Sequence, residues 1–89
     1  MVGVHDYSRL NFIRLIPNPA SDYFRLTGLE MGEEYFISVS DVSGRTILKK
    51  KLTGSEHTYI NTSEIKAGIY FAHIVKNNSE IFLKLIISN

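Results

Sequence analysis

Cysteine is absent from the 89 residues. That excludes a disulfide framework, thiol catalysis and thiolate metal sites, and leaves the compartment open. An excess of one charge is also lacking: the formal net charge is +1, so there is no electrostatic footprint for nucleic acid or an anionic membrane. No apolar run approaches the roughly 18 residues that a membrane-spanning helix needs. Residues 1–10 hold no basic stretch followed by an apolar core, and so do not read as a secretory signal peptide. Helix-length periodicity, internal repeats and low-complexity tracts are missing as well. The serines include none in a nucleophile elbow with a base placed to activate it, and there is no Gly-rich phosphate loop. Chemistry of the common kinds has nowhere to sit.

What is present is a chain of ordinary globular composition, 44% hydrophobic and 21% charged, long enough for one domain with a modest core. Residues 1–10 lack periodicity and read as a flexible arm or linker, with the domain over 11–89. Phe12 to Ile16 is the first strand expected, ended by Pro17-Asn18-Pro19, whose prolines carry no N–H for a ladder. Tyr23 to Thr27 alternates, with Phe24 and Leu26 inward. Glu34 to Ser40 should place Tyr35, Ile37 and Val39 on a core face. Asp41-Val42-Ser43-Gly44-Arg45 reads as a bulged hairpin turn leading into Thr46 to Leu52. His57 to Ile60 makes a short fifth strand. Asn61 to Ala67 suits a single turn pinned by Ile65.

The most apolar stretch closes the chain. Gly68 to Val75 and Ile81 to Ile87 flank the polar Lys76-Asn77-Asn78-Ser79-Glu80, a hairpin signal. Ile81, Leu83, Leu85 and Ile87 share one face, and Phe82, Lys84 and Ile86 the other. So apolar a strand predicts a place inside its sheet. Short strands punctuated by Gly, Asn and Pro argue for an all-β fold: a seven-stranded antiparallel immunoglobulin-like β-sandwich.

Candidate sites are few. His5, His57 and His73 lie on separate elements without ligand spacing. Asp22 and Asp41 would meet only at one end of a sandwich, and Asx turns explain them better than calcium. Lys49-Lys50-Lys51 suits protection of an exposed edge, with Lys50 on the opposite face from its neighbours. Tyr7, Tyr23 and Tyr59 fall on elements that read as unrelated, which weakens a carbohydrate-stacking platform. Asn61-Thr62-Ser63 and Asn77-Asn78-Ser79 match a glycosylation sequon of the kind polar turns produce by chance.

Taken in order, the punctuation has a pattern. Leu15-Ile16-Pro17-Asn18-Pro19-Ala20-Ser21-Asp22 begins it, Asp41 to Arg45 sits in the middle, Gly68-Ile69-Tyr70-Phe71 follows, and Leu83-Lys84-Leu85-Ile86-Ile87 closes it. From about residue 12 to 89 the chain resembles the type A C-terminal sorting domain of the type IX (Por) secretion system, found at the ends of exported Bacteroidetes proteins. The closing run ends without the second basic residue that many relatives carry.

The resemblance implies a non-enzymatic, cofactor-free address on a larger cargo, and favours a fragment over a complete protein. It implies recognition by translocon components at the outer membrane. Cleavage upstream by a sortase-like cysteine protease would then leave the cargo on the cell surface or release it. It also implies that Pro17, Asn18, Pro19, Asp41, Gly44, Arg45, Gly68, Tyr70, Lys84, Leu85, Ile86 and Ile87 serve recognition or fold. The alternative is an accessory glycan- or protein-binding module of a secreted enzyme or adhesin. An unpaired apolar edge on the last strand would also promote a homodimer.

Overall fold

The computed structural model describes residues 10–56 and 58–89. Within them the chain forms seven strands: β1 (Arg14–Ile16), β2 (Tyr23–Thr27), β3 (Glu34–Asp41), β4 (Thr46–Thr53), β5 (Tyr59–Asn61), β6 (Gly68–Lys76) and β7 (Ser79–Ile87). They divide into two antiparallel sheets, β1-β2-β5 and β4-β3-β6-β7. First, second and fifth strands on one side, fourth, third, sixth and seventh on the other, is the partition of an immunoglobulin-like sandwich. The fold class is the one expected from strand spacing.

Alternation does the packing. Tyr35, Ile37 and Val39 from β3, Tyr70, Ala72 and Ile74 from β6, and Leu85 and Ile87 from β7 are buried, and meet Phe24, Leu26 and Ile60 of the opposite sheet in one core cluster. Each polar or exposed neighbour between them faces out, because successive side chains point to opposite faces. Gly44 adopts φ +92° in the β3–β4 turn, a conformation L side chains rarely take, and a bulge follows Val39 as the hairpin signal implied.

Several elements differ from expectation. The first strand starts at Arg14 because Phe12 is left in solvent while Ile13 is buried just before the ladder begins. The fifth strand runs Tyr59–Asn61, since the ladder pairs Tyr23 with Asn61. His57 lies outside the described residues, as do His5 and Tyr7. So does the expected arm, except for Leu10, which is buried in the core. The polar stretch 76–80 is mostly strand: Lys76 pairs with Ser79 and Val75 with Glu80, leaving a two-residue turn of Asn77, at φ +56°, and Asn78. Main-chain pairing extends the hairpin where side-chain polarity suggested a loop.

The larger correction concerns β7. It lies at the edge of its sheet, and the central strands are β3 and β6. An edge strand can be this apolar here because its inner face covers the core and part of its rim is covered by another segment, described next.

Candidate functional site

The four sequence motifs are far apart in the chain and meet at one end of the four-stranded sheet. Asp41 of β3 pairs with Tyr70 of β6, and Tyr70 pairs with Leu85 of β7. On the far side of β7 lies the loop that holds Pro17, Asn18 and Pro19, in which both prolyl bonds are cis. Here the Asn18 side chain substitutes for a strand. Its Nδ2 donates to the Lys84 carbonyl at 2.8 Å, and its Oδ1 accepts the Ile86 N–H at 2.9 Å. Ala20 continues the seal: its N–H donates to the Ile86 carbonyl and its carbonyl accepts the Ser88 N–H, both at 2.7 Å. This makes an isolated parallel bridge between Ala20 and Ile87. Donors and acceptors that would otherwise face water unpaired are satisfied over the last part of β7.

Tyr70 is buried, and its hydroxyl donates 2.7 Å to the Lys66 carbonyl four residues upstream. A tyrosine near the start of the sixth strand bonded back to the approach of that strand is the tyrosine corner of immunoglobulin-like domains. Gly68 opens the same strand and pairs with Ile87. The Asp41–Arg45 turn is an Asx turn. Asp41 Oδ1 accepts the Ser43 hydroxyl at 2.7 Å and the Ser43 and Arg45 N–H groups at 3.0 Å, while Arg45 Nε lies 3.5 Å from Oδ2. The Ser43 hydroxyl, then the Arg45 N–H, with smaller help from the Ser43 N–H and the Arg45 charge, hold the Asp41 pKa below the usual carboxylate value against slight desolvation.

The motif residues therefore divide by exposure. Tyr70, Leu85 and Ile87 are buried, and Ile86 is half-buried. Pro17, Asn18, Pro19, Gly44, Arg45 and Lys84 face solvent. Asn18 and Asp41 are committed to internal hydrogen bonds, whereas Lys84 makes no ion pair among the described residues. Residues outside the motifs complete the site. Ala20 is fully buried, Thr62 is buried with its hydroxyl 2.7 Å from the Ser21 carbonyl, and Asn89 Nδ2 donates to the Thr62 and Ile65 carbonyls. A small residue in a proline-rich loop gives no sequence signal for edge sealing.

The other candidates resolve simply. Asp22 contributes its carbonyl to the Thr62 N–H, and Asn61 forms an Asx turn with Ser63 like that of Asp41. The lysine run lies on β4, the opposite edge of the sheet. Lys49 and Lys51 line a hollow with Phe36 and His73; Lys50 touches that hollow as well, and is the one lysine of the run that also borders the hollow of Tyr23, Tyr59 and Asn61. Tyr23 and Tyr59 are not on unrelated elements: β2 and β5 are neighbours, and the rings pack edge to face at 5.4 Å and 67°. Two rings at that angle offer no coplanar platform. His73 contacts Glu80 and stacks on Phe82 at 4.2 Å. Among the described residues, no group of three His, Asp or Glu side chains is placed to hold a metal. The hydroxyls of Ser43 and Ser63 are spent on turn side chains.

Fold and site define a small immunoglobulin-like sandwich whose motif residues converge on a sealed strand edge. The profile of the secretion system C-terminal sorting domain matches residues 14–88, and the chain belongs to this family, the C-terminal sorting signal of type IX secretion. No curated protein was found to match. As such a signal, the domain implies an upstream cargo, interaction with the type IX system and export through the outer membrane.

Proposed function

We propose that this domain is a non-catalytic address, read in its folded state by outer-membrane translocon components after its cargo has crossed the periplasm. A sortase-like cysteine protease then cuts upstream of the sandwich, within the arm, and the cargo is released or joined to an anionic lipopolysaccharide at the cell surface. The observation that carries this reading is the family match over nearly the whole sandwich, residues 14–88.

Two physical features support it. A stretch ahead of the sandwich whose sequence lacks periodicity would give a protease a substrate, while the fold itself resists cutting. The motif residues also fall into two roles. Asn18, Asp41, Gly44, Tyr70, Leu85 and Ile87 build and seal the sheet end, while the exposed side chain of Lys84, without an ion pair among the described residues, is left for recognition; Arg45 is exposed too but stays tied to Asp41. The test is export of a fluorescent protein carrying residues 1–89 behind a periplasmic leader, in a Bacteroidetes host with and without a working type IX system. Surface or medium delivery of a shortened product only in the competent host is expected. A folded fusion that stays periplasmic in both hosts would end the sorting reading.

A further inference from the structure

We infer that two copies of this chain pair antiparallel through the open half of β7, Glu80 to Lys84, about a twofold axis at Phe82. The inference stands apart from the sorting reading, because it rests on an edge that a domain with any other role would also carry.

Four strands border the two sheets. β1 and β5 are three residues long, too short to template much pairing. β4 is long, but Lys49 and Lys51 would meet lysines of a twin strand. β7 is different. Its odd residues pair with β6, so its even residues turn their N–H and C=O groups outward. Asn18 and Ala20 occupy this rim from the Lys84 carbonyl onward. The main-chain groups of Glu80 and Phe82 and the Lys84 N–H receive no such cover among the described residues.

The open segment is self-complementary. With Phe82 opposite its twin, Glu80 of each copy lies opposite Lys84 of the other, on the same outward face. The two Phe82 residues exchange both main-chain bonds, and each Lys84 N–H donates to a Glu80 carbonyl. The Lys84 carbonyl keeps Asn18 on one lone pair and has a second for the partner's Glu80 N–H. Further along, Ile86 would lie opposite the partner's Asn78, where that chain turns back toward its own β6. The face that joins is apolar already. Phe82 is 61% exposed against the His73 ring, and Phe71, opposite Lys84 on the same face, is also in solvent. Two four-stranded sheets would become one of eight.

Five residues of edge bury less than a standard interface, so the expected dissociation constant is on the order of 0.1–1 mM. Sedimentation of the 89-residue chain up to millimolar concentration should show its average mass rising toward the dimer. Glu80→Lys and Lys84→Glu each place like charges opposite one another, and each alone should remain monomeric. Their equimolar mixture restores opposite charges at every contact and should associate as the native chain does. A native chain monomeric throughout, single variants that still dimerise, or a mixture that does not, would overturn the proposal. A second reading avoids dependence on the charge variants. A hydrogen-bonded pair sets twin Phe82 Cα atoms about 5.5 Å apart, within disulfide range. Phe82→Cys, in a chain without other cysteines, should therefore cross-link much faster than Lys49→Cys, and equal rates would contradict it.

Discussion

Asn18 shows how one side chain can do the work of a strand. A primary amide carries a donor and an acceptor side by side, the same pair a strand residue presents, and both are used on Lys84 and Ile86. Asn18→Ala is expected to cost about 1–2 kcal/mol in urea unfolding. Asn18→Asp should be worse near neutrality, since it sets a carboxylate oxygen against the Lys84 carbonyl, and should partly recover in acid when that oxygen is protonated. An alanine variant as stable as the native protein would remove the clamp from the account. Tyr70→Phe loses only the bond to Lys66 and is expected to cost about 1 kcal/mol by the same measurement. Gly28 is a third case: at φ +84°, a Cβ would overlap the Phe12 carbonyl. Gly28→Ala should cost more than about 1 kcal/mol.

At the scale of elements, two local charge arrangements give stability opposite pH limits. The Asp41 carboxyl is held below its usual 3.8 chiefly by the Ser43 hydroxyl and then the Arg45 N–H. Its contribution is therefore fully present above 3.8 and is lost as pH falls through the lower folded value. The native chain should lose more stability than Asp41→Asn does as pH falls below 3.8. Lys76 behaves inversely. Desolvation acts to lower its pKa, but Glu30 at 3.3 Å and Glu33 at 3.4 Å together raise it above 10.5. That contribution is intact below 10.5 and disappears as pH rises through the folded value. Lys76→Met should flatten the alkaline limb of a stability–pH curve. These two pairs also join elements: Asp41 closes β3 onto β4, and Lys76 ties the end of β6 to the loop before β3.

For the whole molecule, the question is which changes act on folding and which on recognition. Leu85 is fully buried, so Leu85→Ala should cost about 2–5 kcal/mol and lower melting temperature and export together. Lys84 is exposed, and Lys84→Gln should stay within about 0.5 kcal/mol of the native stability. If export then falls while the melting curve holds, Lys84 is read by the translocon. Unchanged export would confine Lys84 to the strand. Neighbouring residues of one motif thus separate the two effects, because alternation sends them to opposite faces of the same sheet.

Alternation, turn chemistry and motif order are properties of neighbours, and for that reason they were legible in the chain itself. Tyr35, Ile37 and Val39 on the core face, Gly44 in its turn and the β6–β7 hairpin all follow from spacings of a few residues, and the family resemblance from the order of four short motifs along the chain. Which strands are edges, and what covers them, depends on pairings across the whole chain. Asn18 reaches Lys84 and Ile86 over 66 and 68 residues. No periodicity announces that contact, since either amide atom would serve equally well in a loop. The apolar character of β7 was readable; its place at a rim, half sealed by an asparagine and half open, was decided only when the two ends of the chain met.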